Sequence, residues 1–297
     1  MLRAGVGLVI AIVTATPAMA ERAFCNVTPC DQREITRRRL TMELPAGPVT
    51  CKRGQDVGED ARKRVVYCTT AKVVTVDGIV IAANAYTLFH PNGKIYQSTV
   101  AKPFERTLGD GSKVSCGVEH VSLDDKGALL FCKLAAARAG SPKPKVGENV
   151  AFHPNGKLAG FTLDEPYTSQ GISLPMGASV SFDDKGNLVG GWLKDPALVG
   201  GLSLWWDFRL WPNGKLQTAQ LDKQAKIQGH DFPRHAKLTF RVDGSLEAAE
   251  YVEKEGFMIH GEEWSDTRFV TFDKAGKVLT TRVEHYQSTA RPPKFKK

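Results

Sequence analysis

The stretch Phe-His-Pro-Asn-Gly-Lys is written at 89–94 and again at 152–157, and Trp-Pro-Asn-Gly-Lys stands at 211–215. Proline presets φ at the first corner of a turn and asparagine suits the second. Glycine then takes the left-handed conformation that a bulged hairpin loop requires. Asp-Asp-Lys-Gly at 124–127 and 183–186 supplies the same geometry with a different first corner. The turn glycines Gly93, Gly127, Gly156, Gly186, Gly214, Gly244 and Gly276 follow one another at intervals of 28 to 34 residues. Such a period marks an array of one supersecondary unit.

The loop sets the residue four before each glycine opposite the residue two after it. The pairs are Phe89–Ile95, Leu123–Leu129, Phe152–Leu158, Phe182–Leu188, Leu210–Leu216, Phe240–Leu246 and Phe272–Val278. Every member is large and apolar, so each hairpin commits one cross-strand pair to a core. Two residues farther up the first strand stand Val121, Val150, Val180, Phe208, Leu238 and Val270, with Thr87 the exception. Alternation with period two is that of half-buried strand. A further apolar position recurs seven residues after each glycine, from Val100 to Val283, and its odd offset predicts a bulge or bend on the way.

Second glycines (Gly171, Gly201 and Gly229) predict a short third strand before the next hairpin. Gly78 matches the second glycine of a unit centred near residue 63, whose turn has degenerated to Asp60-Ala61-Arg62-Lys63. No helical periodicity of useful length is present. The expected fold is all-β: an elongated array of about eight hairpin repeats of about 30 residues, forming a twisted antiparallel sheet over 49–284. The alternative is β-propeller-like, since Val-Ser-Phe-Asp-Asp-Lys-Gly-Asn-Leu also looks like one strand pair of a blade. Blades, however, take about 40 residues and four strands.

The ends read differently. Met1-Leu2-Arg3, an apolar run from Ala4 to Val13 and Pro17-Ala18-Met19-Ala20 form a secretory signal over 1–20. An N-terminal extension occupies 21–48 and a basic tail 285–297. The expected location is therefore outside the cytoplasm, periplasmic or extracellular, with no membrane span. Export argues against nucleic acid as the partner of the formal +8 charge; an anionic surface contacted through the tail fits better. An even count of six cysteines in an exported chain implies disulfides. Cys51 and Cys68 occupy the same places in their unit as Cys116 and Cys132 in theirs, which pairs each set and leaves Cys25 with Cys30. Simple hairpin geometry leaves Cys116 and Cys132 four residues out of register. Zinc is the competing use of the six, but ligand spacing is absent, so neither metal nor cofactor is expected.

The Phe-His-Pro-Asn-Gly-Lys-Leu and Phe-Asp-Asp-Lys-Gly-Asn-Leu units, over about 60–283, resemble MORN-type hairpin-repeat proteins and their bacterial relatives. This period is longer than the MORN unit, and the Tyr-x-Gly opening is missing. The resemblance implies scaffolding or binding, often of other proteins or membrane surfaces.

Catalytic signals are sparse. No Gly-x-Ser-x-Gly elbow or Gly-rich phosphate loop occurs. His90 and His153 open identical turns and read as solvent-facing; stacked along one edge they would form a ladder. His230 and His235 flank a loop, and the pairs Asp124-Asp125, Asp183-Asp184 and Glu262-Glu263 are adjacent in sequence, so in strands they point to opposite faces. All five tryptophans lie after residue 191. By parity Trp206 joins Phe208 and Leu210 in the core, while Trp205, Arg209 and Trp211 share the outward face. Two indoles flanking a guanidinium would suit sugar rings or a partner loop; the alternative is that they lock neighbouring repeats. The sequence thus reads as a non-catalytic exported protein binding an envelope polymer or protein partner. An envelope glycan hydrolase and a spacer without a small ligand are the alternatives. Open edge strands invite pairing with another chain.

Overall fold

A computed structural model describes residues 33–34, 41–44, 47–52, 55, 57–62, 64–259 and 262–287. The expected signal segment, Cys25, Cys30 and the tail beyond residue 287 lie outside the described residues. No helix occurs among those described. One 20-stranded antiparallel sheet takes up most of the chain and does not close into a barrel. Successive hairpins pair edge to edge, from Val57–Glu59 and Val65–Thr69 to Glu262–Phe272 and Val278–Gln287. Separate propeller blades are excluded by that continuity. The last strand runs three residues into the segment read as tail.

All seven expected closing pairs are in register, Phe89 with Ile95 through Phe272 with Val278. The degenerate hairpin repeats the arrangement as Glu59 with Val65. Beyond each closing pair the register slips by one. Phe152 faces Leu158, but Ala151 faces Gly160, so Ala159 is bulged. That bulge flips strand parity and turns Phe161 and Leu163 inward, which is why the later apolar position falls at an odd offset. Burying a Phe or Leu side chain stabilises by about 1.5–3 kcal/mol. The row of closing pairs is therefore a main contributor to folding. Val278 alone among them is exposed, and among the described residues its strand pairs only with Glu262–Phe272.

The expected third strand is instead a ribbon of two short strands, as in Val74–Val76 with Ile79–Ile81, Tyr167–Ser169 with Ile172–Leu174, and Ala225–Ile227 with His230–Phe232. Each turns on a pair of residues at positive φ, such as Gln170 and Gly171, the geometry of a tight two-residue hairpin. A single sheet with one apolar face needs a second layer. The ribbons supply it: Ile79, Ile81, Ile172, Leu174, Ile227 and Phe232 are all buried in the common core. Among the described residues, the opposite face of the sheet has no such layer.

Both disulfides of the repeat region form between the expected partners, Cys51–Cys68 and Cys116–Cys132. The four-residue mismatch is resolved by a register shift between Cys116 and Val121 that leaves Gly117 to His120 out of the pairing with Leu129–Leu134. Cys116 then faces Leu134, diagonal to Cys132. Closing loops of 17 and 16 residues contributes about 3 kcal/mol each in the chain-entropy model.

The repeated turn residues clamp one turn to the next. From the first xPNGK turn, His90 Nε2 bonds Leu123 O at 2.9 Å, Asn92 Nδ2 donates to Asp125 O at 2.6 Å, and Lys94 Nζ donates to Lys126 O at 2.7 Å. His153, Asn155 and Lys157 repeat these contacts on Phe182, Asp184 and Lys185. Trp211, Asn213 and Lys215 repeat them on Phe240, Val242 and Asp243. A carbonyl can only accept, so each histidine carries its proton on Nε2. The expectation of solvent-facing histidines is thus corrected: the rings are half-buried and satisfy a neighbouring backbone. Where the donor turn is missing, Arg241 reaches Phe272 O and Asp273 O instead.

Acceptor turns are braced by their own aspartate. Asp183 Oδ1 accepts from the N–H groups of Lys185 and Asn187, and Oδ2 from the Asn187 amide. Burial alone would raise this carboxyl, but the hydrogen bonds outweigh it and hold the pKa below the ordinary 3.8. A depressed carboxylate contributes stability that is present above its unfolded value and lost as pH falls through the folded one. Stability measured by urea titration is expected to decline below about pH 4, and Asp183→Asn, which keeps an acceptor but cannot titrate, is expected to flatten that decline.

Glycine packing gives a second test. A Cβ on Gly156 would stand 2.6 Å from Asp110 N and 2.7 Å from Gly109 N, whereas one on Gly171 would meet nothing within 4 Å. Both have positive φ. Gly171→Ala should therefore cost only the backbone strain, about 1 kcal/mol, and Gly156→Ala at least twice that, read from denaturant midpoints.

Candidate functional site

The bulge register places one row of residues across the uncovered face. Phe131, Ala151, Gly160, Ser181, Gly190 and Arg209 lie side by side, each pair registered across neighbouring strands. The row continues through Thr218, Thr239, Ala248, Thr271 and Thr280. These are small residues, and Thr271 Oγ1 and Thr280 Oγ1 are 2.6 Å apart. A second row runs beside it: Trp192, Asp207, Gln220, Lys237, Glu250 and Arg282, with Phe269 between the last two.

Small residues in one row and long ones in the next make a trough. From Asp207 to Arg282 it encloses about 800 Å³ and stays open to solvent. Its floor is threonine and alanine; its wall is charged. Lys237 Nζ is 3.6 Å from Glu250, Arg282 is 2.8 Å from Glu284, and the Arg282 guanidinium sits 5.0 Å from the centre of the Phe269 ring. Arg209 forms no ion pair among the described residues, which leaves its five N–H donors available to a ligand. No three of His, Cys, Asp and Glu gather to hold a metal among the described residues.

The structure separates the three residues expected to form an outward platform. Arg209 lines the trough. Trp211 lies at the turn edge, where its indole Nε1 donates to Phe240 O at 3.0 Å; it is the clamp donor of its turn, in the place of His90 and His153. Trp205 is half-buried, its ring 4.7 Å from that of His235. His230 bonds Gly276 O at 2.7 Å, so the two loop histidines serve the scaffold.

Trp206 corrects the parity expectation. Leu204 faces Leu221 and Phe208 faces Ala219, so Trp205, Trp206 and Asp207 stand opposite Gln220 alone. The excess carries Trp206 to a φ of 78° and leaves it 47% exposed. A bulky residue in that region is strained by about 1–3 kcal/mol. Its ring meets Trp192, itself 38% exposed, edge to face at 5.5 Å. Clustering of tryptophans late in the sequence was the available signal; the bulge that exposes Trp206 has no sequence signature.

No family model and no curated protein matches this chain. Among solved structures, one of the Photorhabdus luminescens Tc holotoxin pore is similar over 82% of this chain and 15% of its own, at 14% identity and a TM-score of 0.17. A score that low carries no argument. The candidate site stands on its own geometry.

Trp211→Phe keeps the ring and loses the donor, so it should cost about 1 kcal/mol. Trp211→His should recover most of that loss, because histidine already makes the bond in two equivalent turns. Thermal denaturation of the two variants checks this.

Proposed function

We propose that this chain is a non-catalytic, exported binding protein that holds a cell-envelope polymer or partner chain along the trough. The observation that supports it is the trough itself, a long open concavity with a hydroxyl-bearing floor and, at one end, an Arg209 that forms no ion pair among the described residues. Open length suits an extended ligand, and mixed charge suits orientation by hydrogen bonds. Two buried disulfides fit an oxidising compartment. No helix among the described residues is long and apolar enough to cross a membrane.

The test is co-sedimentation of the mature chain with an envelope fraction. Thr239→Trp fills the floor and Arg209→Glu reverses the charge at the end. Each is expected to weaken retention at least tenfold while leaving the melting temperature within a few degrees. Undiminished retention in both variants would contradict binding in the trough, and a wild type that is not retained at all would leave the spacer reading. Release of soluble sugar fragments by the wild type would favour the hydrolase.

A further inference from the structure

The ligand class can be narrowed, on the assumption that the open face binds at all. We propose that the trough takes a sugar chain and that Trp192 and Trp206 form the stacking site at its end. By strand parity Trp206 belongs with Leu204 and Phe208, both fully buried. The structure instead holds it outside the core, at a φ that bulky residues rarely adopt. Strain of this kind gathers at ligand clamps.

The geometry around it is that of a corner. The indoles of Trp192 and Trp206 meet at 76°, with centroids 5.5 Å apart. Trp205 braces Trp206 from behind at 5.5 Å and is itself backed by His235. Register carries the corner into the trough: Trp192 faces Asp207, and Gly190 faces Arg209. A Cβ on Gly190 would lie 2.5 Å from Phe208 O, so this position stays bare and the floor stays open.

A pyranose ring has an apolar C–H face and a rim of hydroxyls. The C–H face stacks on an indole, whose ring is electron-rich and flat. The hydroxyls donate to Asp207 and accept from Arg209, and the next sugars run over the threonine floor. A protein ligand of equal affinity would bring an apolar anchor needing a desolvated pocket, and the threonine-floored trough offers hydroxyls instead.

The probe is an envelope polysaccharide fraction freed of protein by protease, pelleted with the mature chain. Trp192→Ala and Trp206→Gly are each expected to reduce binding at least tenfold. Trp206→Gly should melt at the same temperature or higher, because glycine accepts that φ without strain, so its lost binding cannot be ascribed to unfolding. Wild-type retention that disappears with protease treatment identifies a protein ligand and overturns the sugar assignment, while trough binding stands. Retention unchanged in Trp206→Gly overturns the stacking site in the same way. Retention absent from treated and untreated envelope alike overturns both readings.

Discussion

A hairpin turn leaves carbonyl oxygens aimed out of the sheet with no strand to answer them. In an array of hairpins these orphaned acceptors line one edge, one set for each unit. The xPNGK turns meet them with three side-chain donors each, a ring N–H, an amide and an ammonium, aimed at equivalent carbonyls of the following turn. Donor turns and acceptor turns alternate along most of the edge. Glycine at the corner lets neighbouring backbone come close, as Gly156 does against Gly109 and Asp110. The clamps fix each xPNGK turn against the turn that follows it, and the strands behind each joined pair are held with them.

With the turn edge fixed, the asymmetry of the sheet follows from the bulge. One slipped residue after each closing pair puts two apolar positions of the second strand on the same side as the pair. The ribbons then fold over that side and seal it. Nothing comparable among the described residues lies over the other side, where the same register lines up small residues beside long polar ones. The trough is a by-product of stacking regularity, whereas the Trp206 bulge is a departure from it. A strained, exposed indole held by a rigid scaffold is a place where local preference and global fold disagree, and it adjoins the trough.

Much of the scaffold was legible in the sequence because turn chemistry is local. Pro-Asn-Gly specifies its own geometry, and once the turn is known the closing pairs follow by counting. The disulfides were legible for the same reason, through equivalence of Cys51 and Cys68 with Cys116 and Cys132. What counting could not reach were the events between units. His90 and Trp211 bond carbonyls 33 and 29 residues away, and nothing within either turn announces that. Their repetition was the only trace. The ribbons were read as single strands because a two-residue turn such as Gln170-Gly171 carries a weaker signal than Asn-Gly. Parity failed at Trp206 because a bulge moves a side chain without changing the hydrophobic pattern around it.

The turn-to-turn clamp can be observed one proton at a time. In a sample labelled at tryptophan nitrogen, hydrogen exchange of the indole N–H groups reports which of them are bonded. The account predicts slow exchange for the Trp211 indole, donated to Phe240 O, and fast exchange for the exposed Trp192 and Trp206 indoles. A Trp211 indole exchanging as fast as theirs would mean that its turn stands free of the next, and the clamp could not be what orders the array.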